Sequence, residues 1–333
     1  MKNVFSSILM TVACLLVGAA AANAYDFQSD GIYYNINTSN GTVTVTNSGT
    51  SAQYTGDVTI PATVTHDGKT YNVTAIASYA FQNNVELSSI TIGNKVRSIG
   101  YQAFRGCTML TTVVIPNSAE ELGEQAFYGC SNLRNITIGN SVKAIGNAAF
   151  ENCTSLAKVV IPGSAETIGN YAFNGCNHLT DLRLESGVVT IGSYAFAGCA
   201  TLPSVTLPNT VKNINSYAFQ SCTELKEIDL SNQLKTIGYQ AFSGCNELKT
   251  ITSRNETAPT MDNENCFSVY EGVKLYIPIG ATASYQSTNY WHKFTDVTEK
   301  DLGHSGTIDG DVNHDNEVTV ADVNYIIDII LSK

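Results

Sequence analysis

Apolar side chains recur along this chain at a fixed step of 23 residues. Ala-Phe pairs place Phe81, Phe104, Phe127, Phe150, Phe173, Phe196, Phe219 and Phe242 in one series. Leu87, Leu110, Leu133, Leu156, Leu179, Leu202, Leu225 and Leu248 form a second. Cys107, Cys130, Cys153, Cys176, Cys199, Cys222 and Cys245 form a third, and the register never slips. In the unit that starts at Leu110, the alternation Val113-x-Ile115 predicts a short strand, which Pro116 ends because proline cannot donate to a ladder. Ala126-Phe127 is too short for a long helix and reads as one helical turn. The next residues, Gly106, Gly129, Asn152, Gly175, Gly198 and Gly244 in successive units, suit a left-handed cap. Each unit therefore predicts a strand, a bend and a helical turn. A lone unit buries too few side chains to offset its backbone entropy, so units must stack, each stabilised by its neighbours.

Stacking fixes which residues face solvent beside the strand. Those positions run from Ser89 and Thr91 to Thr250 and Thr252, and most carry small neutral side chains. The charged group among them, Lys158, Asp181, Arg183, Glu227 and Asp229, is the candidate partner-binding set. Mixed Arg and carboxylate chemistry there points to a polar protein surface as the ligand. The cysteine series does not read as a disulfide framework. Equivalent residues of stacked units sit about one strand spacing of 4.8 Å apart with parallel Cβ vectors, whereas a disulfide needs Cβ atoms turned toward one another. Buried free thiols acting as small apolar groups are expected instead.

Composition changes the picture at the two ends. Lys2, an apolar run from Ile8 to Ala21 and Ala22-Asn23-Ala24 read as a secretory signal over residues 1–24, which predicts a secreted or outer-surface protein with no transmembrane segment after cleavage. A retained anchor is disfavoured by the shortness of the run, and a lipoprotein site at Cys14 by Thr11 three residues before it. Residues 25–72, with turn signals at Asn40-Gly41 and Asp67-Gly68, predict a β-rich N-terminal cap. The repeats span 73–252. Residues 253–299 lose the period but keep Val273-x-Leu275-x-Ile277 and an aromatic cluster around Trp291, which reads as a C-terminal cap core or an aromatic ligand site. The formal net charge of −11 excludes nucleic acid as a partner. His66, His178, His292, His304 and His314 stand isolated, and no nucleophile elbow, phosphate loop or recurring carboxylate pair is present, so the chain reads as non-enzymatic.

After a linker at 300–308, residues 309–333 hold a loop whose oxygen side chains fall at positions 1, 3, 5, 9 and 12, with a backbone carbonyl at 7. That pattern suits a hard cation such as Ca²⁺. Val320, Val323, Ile326, Ile327 and Ile330 then line one helical face, which a cohesin-like partner, a second copy or the repeats themselves must cover.

Two resemblances follow from these motifs. Leu-x-x-Val-x-Ile-Pro, Val-x-x-Ile-Gly and Ala-Phe-x-Gly-Cys, clearest over Lys158 to Cys176 and Ser204 to Cys222, resemble the BspA-like leucine-rich-repeat family of bacterial surface proteins. The resemblance implies an α+β solenoid, a right-handed superhelix of about eight repeats with its parallel sheet on the concave side, and adhesion to a protein on host or neighbouring cells. Asn84 in place of Cys, Asn215 in place of the repeat Gly and Ser221 in place of a capping Gly are small departures. The tail resembles a type I dockerin repeat. Carried over by position, that resemblance implies Asp311, Asn313, Asp315, Glu317, Thr319 and Asp322 as calcium ligands, with Val320, Ala321, Val323 and Ile327 as the tail's docking face. Dockerins carry two such repeats and this chain has one, which leaves a cohesin-like partner open. The alternative to adhesion is a structural scaffold subunit that docks through the tail.

Overall fold

The computed structural model describes residues 24–49 and 54–302. The signal segment before residue 24 and the calcium loop, docking face and remaining linker after residue 302 lie outside the described residues. Each 23-residue unit forms one rung of a parallel β-solenoid, and about ten rungs stack. In the rung that starts at Leu156, the long strand is Lys158–Ile161, with Val159 and Ile161 fully buried and Lys158 exposed. Pro162 follows, and the chain returns through a second strand of two residues, Thr167–Ile168. A run of turns then carries Phe173 and Cys176 into the core before Leu179 begins the next rung.

Three ladders join the rungs. The long strands Gly56–Ile60, Leu87–Ile92, Thr112–Val114, Asn135–Thr137, Lys158–Ile161 and Asp181–Leu184 pair in parallel as one sheet. The strands Ser204–Thr206, Glu227–Leu230, Thr250–Ser253, Lys274–Pro278 and Asp296–Lys300 form another. Two-residue strands such as Ser98–Ile99, Glu121–Leu122 and Thr167–Ile168 build the second ladder, which joins the N-terminal cap through Lys69–Ile76.

The third ladder runs through the Ala-Phe segments, which are not helical. Phe104 N–H donates to Ala126 O in the next rung at 2.7 Å, and Phe127 N–H to Ala149 O at 2.8 Å. Between these, Arg105 N–H closes on Gln102 O at 3.2 Å and Cys107 N–H on Phe104 O at 3.2 Å. Alternate amides thus make local turns while the others reach across. A helix would need every amide for its own carbonyls, so the cross-rung bonds replace it.

Close approach of backbones explains the recurring glycine. A Cβ on Gly169 would lie 2.7 Å from both Ile145 O and Asn147 N of the previous rung. Inside, the phenylalanine rings stack in an unbroken column from Phe81 to Phe267, with centroids 4.8 to 5.4 Å apart. Tyr54 covers one end at 4.4 Å from Phe81, and Phe294 and Trp291 cover the other at 5.5 and 6.2 Å from Phe267. Full burial of each ring contributes about 2–3 kcal/mol, and offset stacking adds roughly 0.5–1.5 kcal/mol.

The cysteines line the core as free thiols, joined by Cys266. Each repeat Sγ donates to the Phe carbonyl of the preceding rung, at 3.0 Å for Cys107 to Phe81 and 3.2 Å for Cys153 to Phe127. Asn84 breaks the series for a local reason: its Oδ1 accepts from Tyr54 N of the cap at 2.5 Å. Ser221 takes the left-handed conformation at φ 58 in place of a capping glycine.

One rung interrupts the long-strand sheet. Lys226 N–H donates to Pro203 O at 2.9 Å and Thr180 N–H to Ala157 O at 2.9 Å, but Pro203 itself has no N–H for Thr180 O. The sheet divides there into its six- and five-stranded parts. Asn215 of the same rung stands where neighbouring rungs carry Gly192 and Gly238.

Candidate partner-binding face

The long strands alternate, with one set of side chains in the core and the other in solvent. Register aligns the outward residues into two columns. One runs Thr112, Asn135, Lys158, Asp181, and the other Val114, Thr137, Val160, Arg183. Beyond the Pro203 seam the columns resume as Ser204, Glu227, Thr250, Lys274, Asp296 and as Thr206, Asp229, Thr252, Tyr276, Thr298. The five charged residues singled out above all belong to this face.

Their electrostatic states differ. Lys158 Nζ lies 2.6 Å from Asp181 Oδ2, in an ion pair between adjacent rungs that is open to solvent and contributes little. Asp229 is held by Arg254 in a two-pronged contact, Nε to Oδ1 at 2.8 Å and Nη2 to Oδ2 at 2.7 Å. This pair is partly shielded, and the carboxylate holds the guanidinium above its usual range. The third arm of Arg254 donates from Nη1 to Leu302 O at 2.6 Å. Arg183 and Glu227 are exposed and form no ion pair with another described residue. They flank the seam and are open to a partner, as is Asp296 at the C-terminal end of the same face.

The structure adds a cluster that the periodic pattern did not reveal. Tyr276 has Lys274 Nζ 5.6 Å and Lys300 Nζ 5.3 Å from its ring centroid. Its signal was the Val273-x-Leu275-x-Ile277 alternation, which turns Lys274 and Tyr276 outward. Trp291, by contrast, is core: it is 1% exposed, and its Nε1 donates to Pro259 O at 2.6 Å. Among the described residues no group of three or more His, Cys, Asp or Glu side chains is placed to hold a metal. No helix among them is long and apolar enough to cross a membrane.

Comparison with known proteins bears on this geometry. A family model described as the BspA type leucine rich repeat region matches in 6 copies over residues 74–202 and 145–274. Among solved structures, the T. pallidum leucine rich repeat protein superposes with a TM-score of 0.49 at 28% identity, covering 67% of this chain and 90% of its own. A leucine rich cell surface protein from Faecalibacterium prausnitzii gives 0.47 at 23% identity, covering 82% and 94%. The pneumococcal vaccine antigen PcpA gives 0.37 at 18%, covering 82% and 98%. No curated protein matches this chain.

Proposed function

Because the chain belongs to the BspA-type leucine-rich-repeat family, we propose that it is a non-enzymatic, secreted or surface-exposed adhesion protein that binds a protein ligand on its long-strand face. The observation that carries this reading is the pair of unpaired charges, Arg183 and Glu227, on a rigid array of short neutral side chains. A preformed surface of this kind loses little entropy on binding, and its charges set register with the partner. Nothing in the matched family indicates a catalytic one.

The tail completes the reading as a calcium-stabilised attachment module. Asp311, Asn313, Asp315, Glu317, Thr319 and Asp322 would supply the oxygen ligands, a role that rests on their spacing. A scaffold subunit that docks to a cohesin-like partner through Val320, Ala321, Val323 and Ile327 is the second reading, favoured by the apolar stripe alone.

The test is capture of host matrix proteins and neighbouring bacterial cells by the chain lacking residues 1–24, with and without calcium. Adhesion through the repeats requires that capture survive deletion of residues 303–333 and fall in an Arg183→Ala, Glu227→Ala double variant. Capture that vanishes with the tail and ignores the double variant assigns the molecule to scaffolding. A calcium titration followed by circular dichroism on the full chain tests the loop, and a flat response would remove calcium from the account.

A further inference from the structure

A different face of the solenoid, formed by the Ala-Phe turns, carries a row of tyrosines. Tyr171, Tyr194 and Tyr217 occupy the same position, two residues before the core phenylalanine, in three successive rungs. Their rings are parallel, 4.7 Å apart from Tyr171 to Tyr194 and 4.4 Å from Tyr194 to Tyr217. Tyr239 joins edge-on at 5.3 Å from Tyr217. All three stacked residues are left-handed, at φ 59, 58 and 62. The turn imposes that conformation in every rung, where Gln102, Gln125 and Ala148 also adopt it, but it does not ask for an aromatic ring. Glycine or asparagine would hold it with less strain. The tyrosines are therefore a choice of side chain and not a requirement of the backbone.

Charge marks the strip off from the rest of the surface. Its flanks are Asn170, Ser193 and Ser216 on one side and Asn174, Ala197 and Gln220 on the other, so no Asp, Glu, Lys or Arg stands in it over these three rungs. Carboxylates meet the strip only at its ends, where Glu151 Oε1 accepts from Asn174 Nδ2 and Asp262 Oδ2 from Tyr239 N–H, each at 3.0 Å. In the N-terminal rungs the same columns hold Arg105, Glu124 and Glu151. A molecule with a net charge of −11 thus keeps one face neutral over adjacent rungs. Tyr171 is 41% exposed, and the others are partly so. Because the rings cover one another's faces, their edges are what is left toward solvent, beside amide and serine side chains.

We infer that this strip is a second binding surface, whose ligand is a neutral polysaccharide chain. A linear ligand that repeats hydroxyl groups along its length can meet a donor–acceptor set that repeats rung by rung. Two-rotor tyrosines already locked by stacking lose little further entropy when they bind it. A protein epitope fits less well, because hot spots need a desolvated apolar pocket, and the strip holds no aliphatic side chain larger than alanine. Sulfated or uronic chains find no cation here. This inference concerns a face separate from the one proposed for protein adhesion and stands or falls apart from it.

The test is affinity electrophoresis of the full chain in native gels containing galactomannan, mixed-linkage β-glucan or starch, with heparin and polygalacturonate as anionic controls. The expected result is retardation by at least one neutral polymer and by neither anionic one. Combined Tyr171→Ala, Tyr194→Ala and Tyr217→Ala should weaken it roughly tenfold or more, through lost hydrogen bonds and ring contact. The triple Phe variant, which keeps the stack and removes the hydroxyls, guards against a folding defect and should still bind several-fold less tightly. Ser89→Ala, remote from the strip, should leave retardation by the neutral polymers unaltered. Absence of retardation on all three neutral polymers, or unaltered retardation of both triple variants, overturns the proposal. Loss of protein capture in the triple Phe variant would make the strip a protein interface instead and would overturn it equally.

Discussion

At the scale of single residues, the same position does the same work in every rung, so a substitution can be read against its neighbours. Gly169 is the clearest case, since any Cβ there runs into the backbone of the previous rung. Gly169→Ala should destabilise the protein by about 1–3 kcal/mol, the usual cost of overpacking, seen as a lower thermal midpoint. Arg254 works differently, bridging Asp229 and the carbonyl of Leu302. Removing it leaves a partly buried carboxylate without its cation. Arg254→Ala should cost about 2 kcal/mol in a denaturant titration with unchanged slope, the range for hydrogen bonds to charged groups. The Lys158–Asp181 pair was legible in the sequence, because residues 23 apart share a column and these two have opposite signs. The Asp229–Arg254 pair was hidden. Its partners are 25 apart, so two extra residues shift Arg254 out of the column that would have announced it.

At the scale of elements, the strand and its outward residues could be read from alternation, and the second strand could not. Thr167–Ile168 and its equivalents offer one apolar residue before a glycine, too short a run to show a period. The Ala-Phe segment was legible as a chain reversal but not as a ladder, since cross-rung amide bonds leave no mark on side-chain pattern. The interruption at Pro203 has a kinetic consequence. Stability in a stacked array is a sum of neighbour terms, and the rung with the fewest bonds opens first. Amides of Ser204 and Val205 should exchange with deuterium faster than those of Leu182 and Arg183, measured on the native protein by mass spectrometry. Equal protection on both sides of the seam would show that core packing alone sets local opening.

The whole molecule inherits a pH dependence from its column of thiols. Burial pushes Cys153 from its ordinary value of 9.0 up to about 12 and moves Cys130, Cys176, Cys199 and Cys222 in the same direction. A folded-state value above the unfolded one means stability is full below pH 9, where the unfolded thiol keeps its proton. It is lost as pH climbs from there through the folded value near 12. The expected outcome is a midpoint of denaturation that falls steeply across that window, and less steeply when Cys153 and Cys176 are replaced by alanine. Thiol reagents should find these groups inert at neutral pH unless the protein is unfolded. The fold class was legible because repetition makes one correct assignment count many times over. The candidate face was legible only where it shares that repetition, which is why its C-terminal Lys274–Tyr276–Lys300 cluster was not.

The phenylalanine column runs through every repeat with near-constant spacing, and both ends are sealed by aromatics from elsewhere in the chain. A rung is consequently an interchangeable part. Recombination that duplicates or drops 23 codons in frame would lengthen or shorten the molecule by one strand spacing, about 4.8 Å, without disturbing either terminus. Reach is thereby a heritable variable that selection can tune independently of how the chain folds.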